Sequence, residues 1–353
     1  MNIGATNDVT APRRRFLTGL AALGAGALMP GCRTAGQVPA VAGGKPHRID
    51  VHHHILPPKY LADIAAQRVG GKPPSWTPAM SLEEMDRSGI ATSVTSLLQP
   101  GAAIGDFAMA RRISREANEY AARMVADFPG RFGLFAAIPY ADTEGSLKEI
   151  EYALETLKAE GVYLVTNYGG KYPGDPAFRP VLEELNRRMA VVYTHPYPAS
   201  CCQGLLRGVV GDSTIEYAVD TTRAMASVIF TGAAARYPDI RWIFSHSGGV
   251  TPFLLSRFQR AEATLQDKER KLPTGVMHEL RKFYYDTAQG NHPGALDALR
   301  KIAPVSQYLY GTDYPFRDGA EVNGGLAGYG FSAAELRAID RDNALRLFPK
   351  LRA

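Results

Sequence analysis

The chain has 353 residues, 45% hydrophobic and 21% charged, with a formal net charge of +5. This is the composition of a soluble globular protein long enough for one large domain or two ordinary ones. Five basic residues and one acid fall within residues 1–45, leaving the remainder at +1 with no polybasic run, so the charge does not indicate a nucleic-acid partner.

Residues 1–32 read as an export signal. "RRRFLTGLAALGAGALMPGC" has a charged start, an apolar stretch from Leu17 to Pro30 and small residues before Cys32. The apolar stretch is too short and Gly-rich for a lasting transmembrane span. Arg13-Arg14-Arg15-Phe16-Leu17 resembles a twin-arginine signal, which predicts use of the twin-arginine export machinery and a bacterial periplasmic location. Cys32 is placed for a lipid anchor, although Pro30 suits a lipoprotein cleavage box poorly. A Gly/Ala/Pro linker occupies residues 33–46, and residues 47–353 form the catalytic domain.

From there, short apolar runs alternate with amphipathic stretches. The runs are Ile49–His52, Ala91–Leu98, Gly133–Pro139, Val162–Thr166, Ala190–His195, Trp242–His246, Phe283–Thr287 and Tyr308–Asp313. Their β-branched and aromatic content, apolar throughout, is that of parallel strands buried on both faces. "SLEEMDRSG" predicts a helix opened by a capping box, Ser81 with Glu84, and closed on Gly89. Further helices are predicted over 105–130, 175–189, 213–238 and 332–348, each carrying apolar residues at helical spacing. Eight strands alternating with helices predict an α/β fold, a (β/α)8 TIM barrel. An open doubly wound sheet would need a Gly-rich phosphate turn after the first strand, where this chain has His-Ile-Leu-Pro-Pro. The Gly/Pro-rich segment 62–78 reads as a long loop after strand 1 that can cover the catalytic face.

Barrel enzymes carry their chemistry at the C-terminal ends of the strands. The first strand ends His52-His53-His54; period-two alternation points His52 and His54 one way and His53 the other. Two imidazoles so spaced form half of a metal site. The fifth strand ends "VVYTHPYP", the sixth "WIFSHSGG" and the eighth "LYGTDYP", so His195, His246 and Asp313 fall on the same rim. Each alone has a plain structural reading: a loop histidine, a tight turn, a helix cap. Their coincidence at four strand ends argues for a metal site.

The motifs Asp50-Val51-His52-His53-His54, Thr194-His195-Pro196, Ser245-His246-Ser247-Gly248-Gly249 and Gly311-Thr312-Asp313-Tyr314-Pro315 resemble the amidohydrolase superfamily. The resemblance runs from Arg48 to the C-terminus and is strongest to the branch of aminocarboxymuconate-semialdehyde, resorcylate and methylsalicylate decarboxylases. It implies His52, His54, His195 and Asp313 as metal ligands, and His246 as the histidine that contacts substrate or handles a proton. It further implies Asp313 as proton donor and a homodimer. Dinuclear members carry a bridging lysine or glutamate at the end of strand 4. Val165-Thr166-Asn167-Tyr168 stands there instead, implying one divalent ion, Zn²⁺ with Mn²⁺ as the alternative.

The metal set alone leaves decarboxylation and hydrolysis open, and a non-catalytic barrel is the third class. The family branch favours non-oxidative decarboxylation of an aromatic or unsaturated carboxylic acid over hydrolysis of a lactone, ester or amide. Such a substrate should meet a cation: Arg317, Arg207 and Lys171 are the candidates near the rim. Trp76 could stack on a flat ring, and His292, just past strand 7, could contact substrate, although a surface loop is the simpler reading. Adjacent Cys201 and Cys202 are given no role, since neighbouring cysteines strain the peptide between them.

Overall fold

The computed structural model describes residues 47–67 and 72–352; the expected export signal and linker, residues 1–46, lie outside them. Eight parallel strands follow one another around a single sheet: β1 (Arg48–Ile55), β2 (Ile90–Leu97), β3 (Phe132–Ala137), β4 (Gly161–Val165), β5 (Val191–His195), β6 (Arg241–Phe244), β7 (Tyr284–Asp286) and β8 (Tyr308–Leu309). The barrel closes where β8 and the residues after it meet β1. Val51 N donates to Tyr310 O (3.0 Å), Asp313 N to His52 O (2.8 Å) and His54 N to Tyr314 O (2.8 Å). Helices fill the connections, among them α1 (Pro58–Ala66), α2 (Pro78–Ser88), α3 (Phe107–Asp127), α4 (Thr143–Glu151), α5 (Arg179–Arg187) and α6 (Glu216–Phe230). This is the expected (β/α)8 barrel. Among the described residues no helix is long and apolar enough to cross a membrane.

Strand alternation places the site above an aromatic floor. Tyr193 and His195 share the inward face of β5. Tyr193 stacks on Phe135 of β3 (5.0 Å between centroids) and lies 5.6 Å from the His52 ring. The barrel interior is thus filled by large rings on which the histidines rest.

Several expected elements differ in ways that matter for the site. β1 runs on through His53 and His54 to Ile55, whereas β8 stops at Leu309 rather than Asp313. Asp313 adopts a left-handed conformation (φ 68°), which breaks the pleat while its backbone still bonds β1. β6 ends at Phe244, because His246, Ser247 and Gly248 all have positive φ (53°, 55° and 74°). The predicted capping box is absent. Thr77 caps α2, and Ser81 lies inside the helix, buried, with Trp76 Nε1 donating to its Oγ (2.9 Å) and His53 Nε2 at 2.8 Å. Glu84 is likewise drawn inward, receiving Ser88 Oγ (2.6 Å) and Gly319 N (2.7 Å). Gly89 does close the helix at φ 69°. Segment 62–78 is helical to Ala66 and ordered around Trp76; residues 68–71 lie outside the described residues.

His53 faces away from the other histidines, as alternation predicts. Its Nδ1 meets Asp50 Oδ2 (3.2 Å), and Asp50 also receives His52 N (2.9 Å), Thr312 N (3.1 Å) and Thr312 Oγ1 (2.7 Å). One buried carboxylate therefore ties β1 to the chain just before Asp313. Gly311 allows that approach: a Cβ there would lie 2.9 Å from His52 Cβ and 3.0 Å from Asp286 Cβ. Gly311→Ala is expected to cost about 1–3 kcal/mol of stability through overpacking, read from the denaturant midpoint. An unchanged midpoint would show that the closure tolerates the methyl group.

Candidate metal centre

The four strand ends converge. One donor atom each from His52, His54, His195 and Asp313 lies within 4.8 Å of the others, and all four residues are buried. Asp313 Oδ1 stands 3.2 Å from His52 Nε2 and 3.2 Å from His54 Nε2. The rings of His54 and His195 are 4.6 Å apart, and His246 sits 4.8 Å from His52.

Each imidazole is held by its Nδ1. His52 Nδ1 meets Asp286 Oδ2 at 2.9 Å, His195 Nδ1 the Pro196 carbonyl at 3.0 Å, and His246 Nδ1 the Ala288 carbonyl at 3.2 Å. His54 Nδ1 lies 3.5 Å from Ser96 Oγ. An N–H donated outward fixes the tautomer and turns the Nε2 lone pair inward. His52 Nε2 and His246 Nε2 are buried without a hydrogen-bond partner. Leaving such a group unmet costs about 1–3 kcal/mol, so a ligand-seeking nitrogen fits better than a structural one. Three imidazoles and one carboxylate suit a single divalent metal ion.

The electrostatics agree. Burial, reinforced by the neighbouring rings, drives His195 well below the usual histidine range. Burial also lowers His54 and His246, so these three present neutral, metal-competent nitrogens at neutral pH. His52 is the exception: burial pulls it down, but the carboxylates of Asp286 and Asp313 more than reverse this and raise it to about 10. Burial would raise Asp313, yet the charge and hydrogen bond of His52 hold it well below the usual carboxylate range.

Two neighbours of the centre were missed from sequence. Asp286 ends β7 and orients two histidines at once, through His52 Nδ1 and through His246 N (2.9 Å). Its position at a strand end was the available signal. Gln289 donates from Nε2 to Asp313 Oδ2, leaving Oδ1 to the imidazoles. Nothing in "TAQGN" marks it.

His246 and Gln289 line a cavity of about 470 Å³. Tyr217, Ser213 and Thr214 add hydroxyls; Val250, Pro252, Phe253, Ala295 and Ala298 add apolar wall. His292 lines this cavity too, at the start of helix Pro293–Ile302. Among the described residues, no lysine or arginine does. The expected cations lie elsewhere: Lys171 and Arg207 are exposed, the first in a turn bridged to Tyr168, and Arg317 faces Glu321 at 3.6 Å. Trp76 is buried with its Nε1 on Ser81 and its ring 6.3 Å from Tyr120 of α3, and it does not line this cavity.

The family model described as amidohydrolase matches residues 49–350. The chain belongs to that family. This amidohydrolase is 35% identical over 327 residues to decarboxylase yanB of Aspergillus niger, covering 86% of this chain and 88% of the other. It is also 35% identical over 318 residues to 6-methylsalicylic acid decarboxylase of Penicillium expansum, covering 86% and 97%. Its fold matches the crystal structure of a dihydroxybenzoic acid decarboxylase from Polaromonas with bound manganese and 2-nitroresorcinol. That match has a TM-score of 0.77 at 22% identity and covers 87% of this chain and 98% of the other.

Asp286 provides a test of how the amidohydrolase centre is held. Asp286→Asn should leave the chain folded but weaken divalent-metal binding about 10–100-fold, as loss of a carboxylate behind a ligating histidine does. Competition with a chromophoric chelator measures it, and an affinity equal to the parent's would mean that His52 needs no carboxylate partner.

Proposed function

We propose that this chain is a metal-dependent, non-oxidative decarboxylase of an aromatic carboxylic acid of the salicylate or resorcylate type. His52, His54, His195 and Asp313 hold one divalent ion in this reading. The observation that carries it is the buried three-imidazole, one-carboxylate set beside a cavity that no lysine or arginine among the described residues lines. The named activities of the relatives at 35% identity support the same class.

When bound, the metal supplies the positive charge that the cavity lacks, holding the carboxylate and drawing electron density from the ring. The chain's own residues do the rest. The apolar wall around Val250, Pro252 and Phe253 packs a flat ring, and Tyr217, Ser213 and Thr214 are available to its hydroxyl groups. His246 Nε2, without a partner, contacts the substrate's polar edge. Asp313 Oδ2 takes the proton of a hydroxyl neighbouring the carboxylate and returns it to the ring carbon that bears the carboxylate. The bond to the carboxyl group then breaks, its electron pair restores the ring, and carbon dioxide leaves. Gln289 keeps Oδ2 directed into the cavity.

The donor set accepts zinc or manganese, and the Polaromonas structure carries manganese. Metal analysis of the purified chain, run beside carbon dioxide release from a panel of methylsalicylates and dihydroxybenzoates, tests the reading. One metal per chain with carbon dioxide evolved, both lost in His195→Ala, is the expected result. One metal with cleavage of lactones or esters and no carbon dioxide would make the protein a hydrolase, and a chain that binds no metal would defeat both.

The reading includes a homodimer and export to the periplasm by the twin-arginine route, with Cys32 available for a lipid anchor. The homodimer rests on the family resemblance, and the export route on the Arg13–Leu17 run. Replacing Arg13, Arg14 and Arg15 together by lysine should leave the protein in the cytoplasm when cell fractions are blotted. Unchanged periplasmic yield would speak for the general secretory route.

A further inference from the structure

The loop between His195 and α6 holds a pair of groups that the chemistry above does not use. Along an extended chain, consecutive side chains point to opposite faces, which keeps neighbouring cysteines apart. Here the chain turns. Cys202 N donates to Ala199 O (2.8 Å), and the two Sγ atoms come to 2.8 Å from each other. Both are free thiols; Cys201 is exposed and Cys202 half-buried.

Cys202 is wired to the metal strand. Arg223 of α6 donates from Nη2 to Cys202 Sγ (3.7 Å) and from Nη1 to Asp220 Oδ1 (3.3 Å). Asp220 is fully buried and accepts from Thr166 Oγ1 and Asn167 Nδ2 at the end of β4. Thr166 Oγ1 in turn receives Tyr197 N (2.9 Å), two residues past His195. On its other side the loop is drawn together by Gly204 N donating to Asp212 Oδ1 (2.8 Å), next to Ser213 and Thr214 on the cavity wall.

We propose that Cys201 and Cys202 form a reversible dithiol–disulfide modification site, oxidised by disulfide-bearing oxidants, that loosens the turn behind His195 when the bridge closes. The exposed Cys201 attacks the oxidant's disulfide as a thiolate; that bond breaks, one thiolate leaves, and a mixed disulfide remains on Cys201. Cys202 then attacks the Cys201 sulfur and expels the second thiolate. Two protons pass to solvent and two electrons reduce the oxidant. Consecutive Cα atoms are about 3.8 Å apart, below the usual span of a bridged pair, so the ring is strained and readily reduced. Closing it removes the thiol that Arg223 holds and frees that arginine from the loop.

The bridge stands apart from the decarboxylase reading, while its effect on His195 rests on the metal reading, so metal loss is followed rather than turnover. The metal-loaded full chain is equilibrated with oxidised glutathione, then alkylated and analysed by peptide mass. Wild type should lose two hydrogens within the peptide holding both cysteines, recover them in dithiothreitol, and release metal to a chelator several-fold faster while oxidised. Cys202→Ser should stop at a glutathione adduct on Cys201, and Cys201→Ser should form no bridge; neither should change metal release on oxidation. Stable adducts on both cysteines, a bridge between two chains, or equal metal release from the oxidised and reduced wild type would each overturn the proposal. A chain holding no metal before oxidation would defeat the metal reading, and with it the link to His195, leaving the bridge to be decided by mass.

Discussion

Asp50 is the constraint on which the site depends. Its carboxylate takes two hydrogen bonds from Thr312 and one from the backbone of His52, and it pairs with His53 on the opposite side of the strand. β8 is only two residues long, too short a ladder to close a barrel firmly. The side-chain bonds of Asp50 and the three backbone bonds to residues 310–314 take over where the regular strand ends. That irregular stretch is what lets Asp313 turn into a left-handed conformation and set its carboxylate against two histidines. A longer, regular β8 would alternate its side chains and constrain Asp313 to the pleat.

Burying three imidazoles and two carboxylates together, with the half-buried His246 beside them, is costly unless their charges and hydrogen bonds are met. The arrangement meets them in layers. Carbonyls of Pro196 and Ala288 take the outward nitrogens of His195 and His246, while burial keeps those rings neutral. The carboxylates concentrate on His52, which alone is driven upward. The tilted orientation of His246 to His52, 49° between planes, follows from Asp286 gripping one by its side chain and the other by its backbone.

The period-two pattern of "VHHHI" was enough to assign His52 and His54 to one face and His53 to the other, because strand geometry leaves no other choice. The eight apolar runs gave the barrel for the same reason: burial on both faces demands continuous apolar strands. What failed has equally physical causes. Ser81 and Glu84 match the capping-box pattern, but Trp76, His53 and Gly319 compete for their polar groups from outside the helix, and no local pattern encodes that competition. Asp286 stood at a strand end like the predicted ligands, yet it acts through a histidine rather than facing the cavity. Arg317 is near Asp313 in sequence, but the turn after Asp313 sends it to Glu321. Gln289 reaches Asp313 from a left-handed backbone conformation (φ 53°), which is invisible in the letters.

His54 of β1 and Asp313 after β8 lie 259 positions apart in the chain. A ribosome producing this protein exposes half of the donor set near the start of the domain and withholds Asp313 until almost all of it has been made. Truncated products keep the paired histidines without the carboxylate that joins them. The centre can be completed only on a chain whose first and last strands have already met, so metal capture reports that synthesis and barrel closure are both finished.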